Sequence, residues 1–358
     1  MKAEIQKIVD EIHTECGEEP IRLMEVCGTH TMAIHRYGLR SMLPSNLQLV
    51  SGPGCPVCVT PIHFIDAVLQ LATRDDTVIC TFGDLIRVPG SSASLESEKM
   101  NGHQVRVVYS PVDALRMAIR DKHLHYIFIG VGFETTAPAV AAVIEMAREN
   151  KVTNFSVACA HKTMPEALKR LAADRQIQIQ GLICPGHVSA IIGIQAYEWL
   201  AKHHNIACVV SGFDPGDILV SVLMLCRQIK RNECVAGIQY DRVVKAIGNT
   251  KALALMHRVF EPCDSEWRGL GMIPASGLAI KSGFRRFDAL YRFPVKVKKS
   301  PTPSGCICGD ILKGIKTPLQ CGLFAKECRP DSPIGACMVS SEGTCAAFFK
   351  YQVVKSCA

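Results

Sequence analysis

The chain has 358 residues, enough for two or three domains that each bury a core, so its stability does not call for a disulfide scaffold. With 48% hydrophobic and 20% charged residues, and no apolar run of the roughly 18 to 20 residues that a membrane span needs, it reads as a folded soluble protein. The net charge of +7 arises from 40 basic and 33 acidic residues that are interspersed, without an aromatic-basic stripe, which argues against nucleic acid as a partner.

From the N-terminus, charges of both signs alternate with apolar residues at helical spacing, unlike the unbroken apolar stretch of a signal peptide, so the expected location is the cytoplasm. Eighteen cysteines are then anomalous, because the cytosol keeps thiols reduced; metal binding or redox chemistry accounts for them better than structural disulfides.

Short apolar runs predict strands over residues 21–26, 47–51, 77–81, 105–109 and 126–131. After a polar break near Asn150, further strands are expected over 155–159, 181–184 and 206–211. Between them, 61–72, 137–148, 188–201 and 215–230 carry apolar residues three and four apart, as helices packing one face on a sheet should. The expected fold is α/β, with two parallel-sheet domains, residues 21–149 and 150–239. A cysteine-rich, metal-organised C-terminal domain follows at 240–358, joined by residues 1–20 and bridged by a helix over 242–260. Residues 294–305 read as an exposed connection, and Arg285-Arg286 and the basic run 296–299 as solvated surface.

Ligand sites of open parallel sheets lie beyond the carboxyl ends of the strands. Here those ends read Cys27-Gly28-Thr29-His30, Gly52-Pro53-Gly54-Cys55-Pro56-Val57-Cys58, Gly132-Phe133-Glu134-Thr135-Thr136 and Pro185-Gly186-His187-Val188-Ser189. Cys55 and Cys58 have the spacing of a redox dithiol between a strand and a helix, whose dipole would lower the pKa of the first thiol. Two buried free cysteines, or half of a zinc site, remain open as alternatives. A thiolate at Cys27 would suit a soft metal such as iron. His30, Glu134 and His187 could orient ligands or relay protons, or simply satisfy loop backbone. The later cysteines, Cys306, Cys308, Cys321, Cys328, Cys337, Cys345 and Cys357, match no ferredoxin run, so residues alone leave zinc and an iron-sulfur cluster both open.

Together these segments resemble the HypD family of hydrogenase maturation factors. Thr81-Phe82-Gly83-Asp84, Arg87-Val88-Pro89-Gly90, Asp264 to Gly271 and Ser340-Ser341-Glu342-Gly343 extend the resemblance, which runs in family order over roughly residues 21 to 350. It implies a scaffold with redox activity that, with HypC and HypE, builds the Fe(CN)2CO unit for the hydrogenase large-subunit precursor. By the same resemblance Cys27 holds the iron jointly with HypC, Cys55 and Cys58 form the redox pair, and Cys308, Cys321, Cys328 and Cys345 hold a [4Fe-4S] cluster. Cys184, Cys306, Cys337 and Cys357 acquire no role from it. A cluster-driven thiol-disulfide reductase and a zinc-stabilised interaction scaffold are the competing expectations.

Overall fold

Each of the eight predicted apolar runs forms a strand in the computed structural model, which describes residues 2–297 and 303–353. They are β1 (Ile21–Glu25), β2 (Leu47–Ser51), β3 (Thr77–Thr81), β4 (Val105–Val107), β5 (His125–Gly130), β6 (Phe155–Cys159), β7 (Gly181–Pro185) and β8 (Ala207–Ser211). A short β9 (Ala236–Ile238), too brief to announce itself in the sequence, adds one edge. Strands β3, β5, β7 and β8 are buried at every position, which is why they read as unbroken apolar runs: helices cover both faces of a parallel sheet. The helix expected over 188–201 is broken at Gly193, whose φ of +74° a side chain would resist, giving Gly186–Ile192 and Gln195–His204.

The strands form two parallel sheets, but not the two that a division near residue 150 implies. One sheet has the order β2-β1-β7-β8-β9 and the other β4-β3-β5-β6. β1 pairs along β7, Leu23 opposite Gly181 and Glu25 opposite Ile183, while β6 pairs along β5, Tyr126 opposite Phe155. The chain therefore begins one sheet, builds the whole of the other, and returns to finish the first. An apolar run states that a strand wants covering on both sides; it does not state which strand lies beside it.

The N-terminal helix, Lys2–Glu15, also departs from the expected grouping with the C-terminal domain. It packs on helix Pro215–Lys230 of the first sheet, where Val9 and Ile12 share a buried cluster with Leu219, Val222 and Cys226. Arg227 pairs with Glu11 at 2.7 Å, Lys230 pairs with Glu15 at 2.9 Å, and the Cys16 and Cys226 sulfurs lie 3.0 Å apart.

Past residue 240 the expected long helix is confined to Thr250–Val259, and the segment after it, where no strand is expected, is an antiparallel hairpin, β10 (Phe260–Trp267) and β11 (Gly271–Ile280). Pro262 and Pro274 and the polar residues between them hid it, since such residues are tolerated on a two-stranded edge. The hairpin packs on the second sheet. Thr163 donates to the Ser276 carbonyl at 2.8 Å, Leu278 donates to the His161 carbonyl at 3.1 Å, and Phe260 and Ile280 share a core with Phe128 and Phe155 of the second sheet. Lys162, 2% exposed, adds bonds from Nζ to Ser265 Oγ and the Glu266 carbonyl, both 2.7 Å; burial lowers its pKa to about 8. Cys308, Leu312 and Cys337 of the last segment belong to the same buried cluster as Cys55 and Cys58. Residues 298–302, within the expected connection, and Cys357 lie outside the described residues. Among the described residues no helix is long and apolar enough to cross a membrane.

Candidate functional site

Because β1 and β2 are parallel neighbours, their carboxyl ends abut, and the Cys27 and Cys55 loops meet there. The Gly28 N–H donates to the Gly54 carbonyl at 3.0 Å, and a side chain at Gly54 would overlap the backbone of Cys27. Only glycine lets the two loops approach this closely. A side chain at Gly28 would in turn overlap Glu342, so the C-terminal segment is pressed against the start of helix Gly28–Tyr37. A cleft of about 420 Å³ opens at this junction between the carboxyl edges of the two sheets. Its walls include Cys27 and Thr29 from the first sheet's edge, Phe133 and Thr136 after β5, His187 after β7, and Glu342.

Cys27 is nearly enclosed, 7% exposed, and caps the helix with extended backbone. Burial, reinforced by the Glu342 carboxylate, pushes its thiol up to about 11, so at neutral pH it carries its proton and a metal must displace it. Thr29 Oγ1 donates to Glu342 Oε1 at 2.6 Å, which fixes the carboxylate beside the thiol.

The two histidines of the strand-end motifs stack on one ring that the sequence reading passed over. His187, exposed on the cleft, lies 3.9 Å from Phe213, and His30, fully buried, lies 5.0 Å from the same ring. Phe213 follows β8, so the strand-end rule that picked out the other loops would have found it. Burial lowers His30 to about 4, leaving it neutral; its Nε2–H donates to the Gly212 carbonyl at 2.8 Å, and Nδ1 is buried without a partner. Glu134 does not line the cleft. Its Oε1 accepts the Met164 N–H at 2.9 Å, at the start of helix Met164–Ala172, and Oε2 is buried and unpartnered; burial raises its pKa to about 7.

Behind Cys27 the thiols continue inward. Cys55 caps the four-residue helix Pro56–Val59, and its Sγ accepts the Cys58 N–H at 3.3 Å. Cys58, 1% exposed, is hydrogen-bonded to Cys55 and also to Cys337, from helix Ala336–Val339; burial first, then these neighbours, hold it far above the usual thiol range. Cys337 in turn lines a narrow void of about 20 Å³, together with Cys306, Cys308, Cys321, Cys328 and Cys345. The other lining groups, among them Ile311, Phe324 and Met338, are apolar. Among the described residues no three cysteine, histidine or acidic side chains converge as ligands of one ion would; the six thiols surround a space instead. Cys345 is held high by burial and then by Cys337, Cys328, Cys306 and Cys321, its thiol neighbours. Cys306 is hydrogen-bonded to Cys308, which with burial also raises it. Cys184, a free thiol, is hydrogen-bonded instead to Cys208 on the adjacent strand, within the core.

Fold and site together define an α/β protein in which thiols lie in succession from a strand-end cleft to a cysteine-lined void. The family model described as "HypD: Hydrogenase formation hypA family" matches residues 3–352. The hydrogenase maturation factor HypD of Rhodobacter capsulatus is 44% identical over 98% of this chain and 94% of its own length. That of Azotobacter vinelandii is 44% identical over 92% of this chain and 89% of its own, and that of Escherichia coli 42% identical over 95% and 91%. The chain belongs to the HypD family of hydrogenase maturation factors.

Proposed function

We propose that the chain scaffolds assembly of the Fe(CN)2CO unit of nickel-iron hydrogenases, holding the cargo iron at Cys27 jointly with HypC while HypE presents cyanide as a thiocyanate. What carries this reading is the run of thiols: Cys27 faces the cleft, Cys55 and Cys58 lie behind it, and Cys337 joins Cys58 to the void.

On binding iron, Cys27 gives up its proton, and Glu342 or the neutral His187 is placed to receive it. Burial lowers the pKa of His187, so its imidazole is free to accept. Cleaving the S–C bond of the thiocyanate takes two electrons and yields cyanide for the iron and a thiolate on the carrier. Oxidation of Cys55 and Cys58 to a disulfide supplies both electrons and releases two protons, one of which neutralises that thiolate while the other leaves to solvent. The apolar surroundings of the pair limit access of competing water.

The donor set suits a [4Fe-4S] cluster, because thiols surrounding a void can each take a different iron, whereas a single zinc needs four donors around one point. Held by these thiolates, a cluster would supply single electrons, and Cys337 would stand between it and the Cys55–Cys58 pair. Cys321, Cys328 and Cys345 remain the ligands implied by the family resemblance. For the fourth, Cys306 and Cys308 both line the void, and Cys306 is favoured because its thiol, like those of Cys328 and Cys321, acts on Cys345.

Infrared spectra of the protein purified without oxygen alongside HypC, after co-production with the cyanide-delivering partners, test the reading. Cyanide and carbon monoxide bands are expected, and should vanish in Cys27→Ala. A bandless complex with an intact iron-sulfur spectrum would favour a thiol-disulfide reductase instead.

A further inference from the structure

Arg268 sits in the turn between β10 and β11, and only 5% of it is exposed. Its backbone N–H donates to the Val59 carbonyl at 2.8 Å and its Nε donates to the Thr60 carbonyl at 2.8 Å. These carbonyls close the short helix that carries Cys58, so the guanidinium is anchored to the back of the redox pair. On its other side the turn meets the cysteine-rich segment: Gly269, at φ +81°, packs backbone to backbone on Gly309, next to Cys308.

Anchored in this way, the guanidinium has a charge to balance. A guanidinium does not lose its proton in a protein, and a buried one needs an anion. Among the described residues no carboxylate forms an ion pair with Arg268, and Nη2 is buried with no partner at all. What lies across the turn is the cysteine-lined void: Gly309, against which Gly269 packs, adjoins Cys308 in its wall. A cluster held by four thiolates is an anion, and it gains one more negative charge on reduction.

We propose that Arg268 is the counter-charge of the cysteine-bound cluster, its buried and unpartnered Nη2 held between the Cys58 helix and the Cys308 segment and raising the reduction potential. The proposal rests on the reading that these thiols hold a cluster. Net charge and hydrogen bonds to sulfur are among the levers that set such potentials. Placing one cation against both the cluster ligands and the Cys58 helix would match the two centres between which electrons pass.

The full-length chain, loaded anaerobically with iron and sulfide, is titrated with a chemical reductant and the reduced cluster followed by electron paramagnetic resonance. Arg268→Met, which keeps bulk without charge, should make the cluster about tenfold harder to reduce, a drop of ~59 mV for a one-electron couple. Arg268→Lys should stay near the wild type. If Arg268→Met fails to fold, Arg268→Gln, whose amide can still meet the Thr60 carbonyl, replaces it in the same titration. A neutral variant that titrates with the wild type, or a lysine variant that falls as far as the methionine one, overturns the proposal alone. A wild-type chain that takes up no cluster overturns the underlying reading and the proposal with it.

Discussion

Cys58 and Cys337, which stand in distant parts of the sequence, are hydrogen-bonded to each other in the core, and Cys337 also lines the six-thiol void. Among the described residues, Cys337 joins the strand-end pair to the C-terminal cysteines by a thiol on both sides. It is therefore the residue through which the pair and the void would exchange electrons.

Replacing that thiol should separate the two functions. In Cys337→Ala, reduction of a Cys55–Cys58 disulfide by the loaded chain is expected to slow by about tenfold or more, corresponding to ~1.4 kcal/mol of barrier. Bound iron should stay at the wild-type level. Trapping free thiols with an alkylating agent and weighing the products reads the first; a colorimetric iron assay reads the second. Unaltered reduction kinetics would remove Cys337 from the path.

The neighbours of Cys345 make a second prediction about the ligand set. Cys306→Ala should lose most of the iron-sulfur absorption, as Cys321→Ala and Cys345→Ala should, while Cys308→Ala keeps it. The reverse pattern, with Cys308 required and Cys306 dispensable, would restore the assignment implied by the family resemblance.

Cys27 should react as a thiol of high pKa. With its pKa near 11, its thiolate fraction grows about tenfold per pH unit below that value, and alkylation between pH 7 and 10 should follow. Glu342→Gln removes the carboxylate that supports the shift and should speed alkylation at pH 8 by roughly three- to tenfold, the effect of half to one pKa unit. A rate indifferent to Glu342 would show that burial alone holds the thiol protonated.

Glu134 makes a prediction about stability. Its folded pKa, raised by burial to about 7, exceeds that of an unfolded glutamate, so the folded state holds the proton more tightly. Its contribution is complete below about pH 4 and is lost as pH rises through 7, with an upper bound of about 3 kcal/mol. Glu134→Gln keeps an acceptor for the Met164 N–H and never ionises. Its thermal unfolding midpoint should gain on the wild type between pH 5 and 8; midpoints that move in parallel across that window would refute the assignment.

Strands β1 to β8 and the loops at their carboxyl ends were legible in the sequence, because a strand buried on both faces must be apolar along its length and a ligand loop must then break that pattern. The same local logic picked out Cys27, Cys55, Cys58 and His187, which the structure brings to or directly behind the cleft. It placed Glu134 with them, although that side chain turns away to meet a helix start, since a loop's position does not state its side chain's direction. The pairing of β1 with β7, the hairpin from Phe260 to Ile280, the approach of Glu342 to Cys27 and the bond from Cys58 to Cys337 were decided only in three dimensions. Each joins segments far apart in the chain, and the choice of partner depends on which buried surfaces and polar groups satisfy one another after folding. Residue pattern records the need to be buried; only the folded core decides what each buried residue touches.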